Sequence, residues 1–339
     1  MGTKRLTYCN FIDKVVEEVK SKIGEQKQVH VSPVKKNNGL TLDGIIIIDK
    51  GINISPTIYI NSYYDKYRDG DSIEDIVDKI ISTYEEHRPT EDFDIETFRN
   101  FDIAKQTLIM KVVNTKRNEK LLKTIPHRDF ENLSIVYMVL VTSFENEFAT
   151  ILIHNENMKM WQVTEEELYE AAMKNTPALL PYTFNTLVDI LKNMVGTFDF
   201  PLIDNKMYML SNNKKIYGAT AMIYDGLLKE IKEQLEDNFY LIPSSVNEVL
   251  IIPEKEIKEE YTWDRIRHLL FDEMSADAEL GEHFDFTDLP LEKCVDKEKF
   301  VIKNMNKMIE EVNNEHVSVE EILDDYVYFF DGEKLTCKK

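Results

Sequence analysis

The stretch KKNNGLTLDGIIIIDKGINISPTIYIN, residues 35–61, decides the fold of the N-terminal part of the chain. Its Asn-Asn-Gly at 37–39 predicts a hairpin turn, because Asn and Gly tolerate positive φ. The four consecutive isoleucines at 45–48 predict a strand that is buried on both faces. The segment GINISP at 51–56 is typical of a connection to a further strand, since it is rich in turn-forming residues. An antiparallel sheet is therefore expected near the start of the protein.

Amphipathic helices are predicted around this sheet. Apolar residues at helical spacing predict a helix over 10–23 and a second over 72–87, which begins with a capping serine. The order strand–strand–helix at about 40–87 recurs at about 133–175. The helix of the second unit is expected to begin with a capping box at Thr164 and to end before Pro177. The same elements return in permuted order from residue 207 onwards. The chain thus repeats an architecture and not a sequence.

The fold class predicted from these patterns is α+β, with repeated small strand–strand–helix units. Long helices are predicted between the units, at 94–123 and 183–196. The predicted domains are an N-terminal α+β unit, a middle strand–strand–helix unit and a C-terminal α+β unit, at 1–125, 126–200 and 201–339. The last unit carries an acidic insertion at about 254–297. It is expected to end with a helix, a capping box at Ser318, a short strand and a frayed tail.

Net charge bounds the partners that this chain can bind. The 339 residues carry a formal charge of −21, which repels nucleic-acid phosphates and anionic lipid and favours basic protein partners. Direct nucleic-acid binding is therefore disfavoured, and no apolar run approaches the roughly 18 residues of a membrane span. Three widely separated cysteines and the lack of a signal peptide at the N-terminus predict a cytoplasmic protein. The oligomeric state is not predicted.

Motifs for catalysis or cofactor binding do not emerge from the sequence. His-Arg-Asp-Phe at 127–130 resembles part of a kinase catalytic loop, but Ser134 stands where that loop needs Asn. We therefore expect a turn before a strand at this point. With only 11 glycines, phosphate-binding loops are scarce, and no P-loop or dinucleotide fingerprint is present. No cofactor and no metal are predicted, and the sequence leans away from an enzyme.

Polar residues in three predicted loops are the candidates for ligand binding, because polar loops beside rigid strands are where ligands bind. Each of them is also explained as an ordinary turn or rim residue. The candidates are Asn53 and Ser55 in GINISP, His154 and Asn155 after a strand, and Ser244 and Ser245 in a turn between strands.

Acidic residues near the C-terminal end form a second set of candidates, for binding a partner. Residues 254–290 hold twelve Asp or Glu against four Lys or Arg. Dense carboxylates usually form a solvated surface, and they can also imitate the phosphate spacing of DNA. The candidates are Glu256, Glu259, Glu260, Asp272, Glu273, Asp277, Glu279 and Glu282.

Several segments together resemble a known group of proteins. The succession KKNNGLTLDGIIIIDKGINISPTIYINSYYDKYRDG, IPHRDFENLSIVYMVLV, WQVTEEELYEAAMKNTP and MYMLSNNKKIYGATAMIYDG is similar to a family of uncharacterised proteins of anaerobic gut Firmicutes, often carried on mobile elements. The middle and third blocks resemble, more distantly, the YtpQ-type uncharacterised family. The resemblance covers roughly residues 10–253 and implies no activity or site residues.

Three hypotheses of function follow. The leading one is a non-enzymatic binding or adaptor protein that acts through its acidic surface, in mobile-element or phage–host biology. The second is an enzyme or small-molecule-binding protein whose site is assembled from the candidate loops. The third is a DNA mimic that inhibits a nucleic-acid-binding protein, which salt-sensitive competition with DNA would reveal.

Overall fold

A computed structural model describes residues 5–24, 26–89, 98–142, 148–190, 207–258 and 297–339. The chain forms two compact units. Unit 1 comprises Met1–Ala104 with Val141–Thr150, and unit 2 comprises Lys105–Leu140 with Ile151–Lys339. Antiparallel sheets combined with separate helices confirm the predicted α+β class. The middle and C-terminal units predicted from the sequence fall mostly within unit 2.

Unit 1 consists of a three-stranded sheet and helices. In chain order its elements are α1 (Tyr8–Ile23), β1 (Lys27–Lys35), β2 (Thr41–Asp49), β3 (Thr57–Tyr59), α2 (Asn61–Asp69), α3 (Ile73–His87) and α4 (Phe101–Ala104). The strands lie in the order β1–β2–β3, and both pairs are antiparallel. The predicted turn joins β1 to β2, with Asn38 and Gly39 at φ of 59° and 71°. The resulting register places Lys27 opposite Asp49.

The core of unit 1 lies on one face of this sheet. Ile45 and Ile47 of β2 are buried together with apolar residues of α1 and α3. Ile46 and Ile48 alternate with them and are only partly buried. The prediction of a strand buried on both faces was wrong, because the helical core residues pack against one face only. The predicted cap of α3 is confirmed, since the Ser72 hydroxyl accepts the Asp75 N–H at 3.1 Å.

Two antiparallel sheets lie mainly in unit 2. The first is built from β4 (Leu108–Asn114), β5 (His127–Phe130), β6 (Leu133–Thr142) and β7 (Phe148–Leu152). Its order is β4–β6–β5, and β7 also pairs with β6. The second comprises β8 (Tyr182–Thr186), β9 (Tyr208–Asn212), β10 (Phe239–Ile242), β11 (Val249–Pro253), β12 (Val327–Phe330) and β13 (Leu335–Lys338). Its order is β13–β12–β10–β11–β9–β8.

Helices complete unit 2. They are α5 (Glu119–Leu122), α6 (Asn155–Trp161), α7 (Glu165–Leu179), α8 (Leu227–Leu235), α9 (Glu254–Lys258) and α10 (Lys297–Glu315), with 3-10 turns at Lys105–Thr107 and Gly218–Ile223. The strand–strand–helix order predicted at 133–175 is confirmed by β6, β7, α6 and α7. The predicted capping box at the start of α7 is also confirmed, because Thr164 and Glu167 bond reciprocally. Helix α8 starts directly after Gly226.

The long helix predicted over 94–123 was wrong, because residues 108–114 form strand β4. Six of these seven residues are buried, and such a continuous apolar run does not distinguish a strand from a helix by periodicity. The second long helix, predicted over 183–196, was wrong at its start. Strand β8 occupies residues up to 186, residues 187–190 are helical, and 191–196 lie outside the described residues.

Residues 127–130 are strand β5 and not the predicted turn. The turn falls after them, where Glu131 has φ of 52°. In β5 the Arg128 guanidinium binds Glu165 through Nε at 3.2 Å and Nη2 at 2.8 Å, and it lies 3.7 Å from the centre of the Tyr169 ring. These contacts tie β5 to α7, which gives this arginine a structural role.

Three further predictions about unit 2 were also wrong. Helix α7 continues through Pro177 to Leu179, so the proline lies in its last turn and does not follow the helix. The capping box predicted at Ser318 forms a turn without a helix, although its hydroxyl does donate to Glu321 Oε2 at 2.7 Å. The tail is not frayed, because its residues form β13 and pair with β12.

Candidate functional site

An open cleft of about 690 Å³ lies in unit 1, beside the 50–56 connection between β2 and β3. This volume falls within the range of about 300–1,000 Å³ that is usual for ligand pockets. The cleft is formed by the end of α1, the start of β1, the end of β2 and the residues that follow α3. Its lining residues are Ile23, Gly24, Gln26, Lys27, Asp49, Lys50, Ile52, Arg88 and Pro89.

The hairpin register and the helical spacing of α3 bring the charged residues of the cleft together. Lys27 and Asp49 are cross-strand partners at the open end of the β1–β2 hairpin. Tyr84, Glu85 and Arg88 lie within one turn of each other at the end of α3, so their side chains can reach the same end of the sheet. The site is therefore built on regular elements and not on loops alone.

Two carboxylates each contact two cations in this cluster. Lys27 Nζ lies 2.8 Å from Glu85 Oε1 and 3.7 Å from Asp49 Oδ1. Arg88 Nε lies 3.1 Å from Glu85 Oε2, and its Nη1 lies 3.7 Å from Asp49 Oδ2. The Lys27 ammonium also sits 4.5 Å from the centre of the Tyr84 ring. These contacts fix Lys27 and Arg88 in position at the cleft.

Tyr84 anchors the cluster from below. Its ring is 1% exposed, and its hydroxyl donates to Asp49 Oδ2 at 2.7 Å. Burial raises the pKa of Tyr84 well above its usual range, and the hydrogen bond to Asp49 raises it further. The hydroxyl therefore stays protonated at neutral pH and acts as a hydrogen-bond donor to the Asp49 carboxylate.

Lys50 is the third cation of the cleft. It follows Asp49 directly and is exposed. Its ammonium has no ion pair or hydrogen bond with any other residue in the described part of the chain. Among the residues that the structure describes, three cations and two carboxylates therefore meet here, which leaves one positive charge in excess among them at neutral pH.

The candidate residues of the GINISP connection lie next to this cleft without lining it. Asn53 is exposed, and the Ser55 hydroxyl donates to the Ile47 carbonyl at 2.6 Å. That bond ties the connection back to β2, so Ser55 has a structural role. Ile52, from the same connection, does line the cleft.

The other two candidate pairs lie in unit 2 and have local partners. The His154 N–H donates to Asn157 Oδ1 at 2.7 Å at the start of α6, and Asn155 Nδ2 donates to the Lys123 carbonyl at 3.4 Å. These bonds make both residues part of a helix start.

Ser244 and Ser245 form the turn between β10 and β11. The Ser245 hydroxyl donates to Glu248 Oε1 at 2.6 Å and accepts the Asn247 N–H at 3.0 Å. The Ser244 N–H donates to the Ile242 carbonyl at 2.9 Å. These bonds shape the turn, and the pair at 154–155 takes part in none of them.

Of the acidic candidates, the structure describes Glu256 alone. This residue of α9 is 5% exposed, so it does not contribute to an exposed acidic surface. The others lie outside the described residues: Glu259, Glu260, Asp272, Glu273, Asp277, Glu279 and Glu282. Their role in partner binding stays a prediction.

A buried polar network in unit 2 surrounds Asp324, which is 2% exposed. Its carboxylate accepts hydrogen bonds from the Tyr328 hydroxyl, from Asn114 Nδ2 at 3.2 Å and from the Asp325 N–H at 2.9 Å. Burial raises the pKa of Asp324, and it raises the pKa of the nearby Cys337 thiol to about 12. This network links β4 to the C-terminal segment, and Asp324, Tyr328 and Asn114 at its centre are buried, so its role is structural.

Sequence reasoning missed the cationic residues of the cleft. One signal was available, because a turn centred on Asn38 sets the hairpin register and so pairs Lys27 with Asp49. No comparable signal brings α3 to this end of the sheet. In the described ranges, no group of His, Cys, Asp or Glu is arranged to hold a metal ion. Likewise, none of the described helices is long and apolar enough to span a membrane.

These features define a two-unit α+β protein with a basic cleft in its N-terminal unit. The chain belongs to the family of unknown function DUF5688, whose sequence model matches residues 8–280. This match confirms that the resemblance is to an uncharacterised family. No curated protein and no solved structure matches the chain.

Proposed function

We propose that the chain is a binding protein and that the cleft of unit 1 holds its ligand. The observation that carries this proposal is the convergence of Lys27, Lys50 and Arg88 on one cleft, in a chain whose net charge is −21. Cations that are scattered over a surface would not converge on a single cleft in this way. Apolar contacts from Ile23, Ile52 and Pro89 would hold the uncharged part of a ligand.

Pre-organisation supports binding at this cleft. The bridging carboxylates Asp49 and Glu85 hold Lys27 and Arg88 before any ligand arrives, and Tyr84 holds Asp49. Ordering a long side chain on binding costs about 0.5–1.5 kcal/mol. A ligand that enters this cleft avoids much of that cost for two of the three cations.

A ligand screen by thermal shift tests this proposal, with a cleft-filling variant beside a matched control. Ile52→Trp places an indole in the cleft, whereas Ile54→Trp changes an exposed residue two positions further on, outside the lining. A true ligand at 100 times its Kd stabilises the protein by about 2.7 kcal/mol. We expect hits that shift the melting temperature of wild type and Ile54→Trp but not of Ile52→Trp.

The result that would overturn the proposal is a screen without any ligand whose effect depends on residue 52. Both variants are first compared with wild type without ligand, so that a loss of folding is not taken for a loss of binding. Circular dichroism and the melting temperature give that comparison.

A second candidate function is electrostatic binding of a basic partner protein in a reducing cytoplasm, as in an adaptor or a DNA mimic. It is favoured by the net charge of −21 and by the twelve acidic residues in 254–290. Pull-down from a host lysate at low and high salt tests this candidate, because exposed charges are screened at high salt. A basic partner retained only at low salt would support it, and binding indifferent to salt would count against it.

A further inference from the structure

We infer that the ligand of the unit 1 cleft carries a compact oxyanion, such as a carboxylate or a phosphate, joined to an apolar body, and that Lys50 and Arg88 bind the oxyanion. This inference rests on the proposed function, since it names the chemical class of ligand for the same cleft. It follows from the charge balance, from the donors that the ion pairs leave available, and from the position of the apolar lining.

The charge balance of the cleft favours an anion. Asp49 and Glu85 compensate two of the three cations, and both are shared between Lys27 and Arg88. Within the described part of the cleft, Lys50 therefore provides the excess positive charge. An anionic group near Lys50 would complete the balance, whereas a cationic ligand would have to meet three cations.

Donor geometry identifies Arg88 as the second contact. The ion pairs of Arg88 engage Nε at 3.1 Å and Nη1 at a longer 3.7 Å. A guanidinium has five N–H donors in a planar fork that suits carboxylate and phosphate groups. The donors of Nη2 take part in neither ion pair, and the Arg88 side chain is 44% exposed. Arg88 can therefore bind an oxyanion while Glu85 keeps its guanidinium in place.

The apolar lining limits the rest of the ligand. Ile23, Ile52 and Pro89 contribute to the same cleft as Lys50 and Arg88. A free inorganic anion would leave these apolar surfaces in contact with water. A ligand with a short hydrocarbon or ring attached to its oxyanion would cover them, and removing such apolar surface from water is favourable.

Hexanoate and hexyl phosphate are suitable probes, with hexanamide as the neutral match, and binding is measured by calorimetry at constant ionic strength. The variant Lys50→Gln removes the excess charge. Lys35→Gln makes the same charge change at the other end of β1, roughly 26 Å away for eight residues of strand. We expect both anions to bind wild type and Lys35→Gln, and to bind Lys50→Gln roughly tenfold more weakly, since charged hydrogen bonds are lost. Lys50→Arg should restore binding.

Two results would overturn the inference while leaving the cleft proposal intact. One is a ligand from the screen that depends on residue 52 but is neutral or cationic, with no binding of either anionic probe. The other is an equal loss of anion binding in Lys35→Gln and Lys50→Gln, which would show a general effect of charge. A screen without any ligand that depends on residue 52 would instead overturn the proposed function itself.

Discussion

Replacing Thr220 by valine tests how strand β4 is stabilised. β4 pairs with β6 along one side, and its other side faces α7 and the 3-10 turn at Gly218–Ile223. On that side the Val112 N–H donates to Thr220 Oγ1 at 3.2 Å. Valine has nearly the same shape as threonine but no hydroxyl, so the substitution removes the acceptor and leaves the packing almost unchanged.

The magnitude follows from the burial of the two residues. Val112 and Thr220 are each 1% exposed, so water does not replace the lost hydroxyl. A buried donor left without an acceptor costs about 1–3 kcal/mol. Thr220→Ser keeps the hydroxyl and removes one buried methyl group, which costs about 0.8 kcal/mol. We therefore expect the valine variant to be less stable than the serine variant, although valine is more apolar.

Urea denaturation of wild type and both variants measures these differences. Thermal unfolding gives an independent check, because each kcal/mol of lost stability lowers the melting temperature of a unit of about 150–250 residues by about 2–4 °C. Hydrogen exchange at the Val112 amide gives a second measurement, since its protection should fall in Thr220→Val and persist in Thr220→Ser. A valine variant as stable as wild type, or more stable than the serine variant, would refute the conclusion that the Thr220 hydroxyl stabilises β4 by accepting the Val112 N–H.

Three further predictions concern unit 2. Burial raises the pKa of Asp324, so folding favours its protonated form. The stability of wild type relative to Asp324→Asn should therefore fall as pH rises above about 4. Urea titrations at several pH values measure this difference, and an opposite slope would contradict the prediction. Arg128→Lys loses the two-point contact with the Glu165 carboxylate and the contact with the Tyr169 ring, and it should cost about 1 kcal/mol of stability. The control Glu166→Gln changes a side chain that is 62% exposed and should alter stability by less than about 0.5 kcal/mol. Met305→Ala, at a fully buried residue of α10, should cost about 2–5 kcal/mol by calorimetry, against little effect for the exposed Met160→Ala.

Local signals in the sequence predicted the parts of the fold that depend on neighbouring residues. The Asn-Asn-Gly turn set the β1–β2 register because Asn38 and Gly39 adopt positive φ there. The caps at Ser72 and Thr164 marked the starts of α3 and α7 because their hydroxyls satisfy free N–H groups. Each of these features is decided within a few residues, so the sequence alone identifies it.

Elements that depend on distant partners were missed. β4 reads as an apolar run, and its identity as a strand depends on β6 and on hydroxyls from Thr176 and Thr220, which are 66 and 108 residues away from their partners. β13 reads as a polar tail, and it is ordered because β12 pairs with it. Propensity and periodicity carry no information about such partners.

Part of the candidate cleft could be predicted from the sequence. The GINISP connection was correctly placed between strands, and its Ile52 lines the cleft. The ligand-binding roles proposed for Asn53 and Ser55 of that connection stay predictions, and neither residue carries the charge of the cleft. The cations come from β1, from the end of β2 and from the end of α3, and only the packing of α3 on the sheet brings Arg88 and Glu85 to Lys27.

The C-terminal segment shows how the fold of unit 2 extends past the span that matches the family. The match ends at residue 280, yet β12 pairs with β10 within the six-stranded sheet, and α10 contributes Met305 and Ile309 to the core beside it. Without residues 297–339, β10 would become an edge strand and its buried face would lose that cover. Exposed edges and apolar faces of this kind promote aggregation. A fragment that stops at the end of the matched span therefore lacks part of its own core, and unit 2 is properly defined by its sheet and not by the limits of the family match.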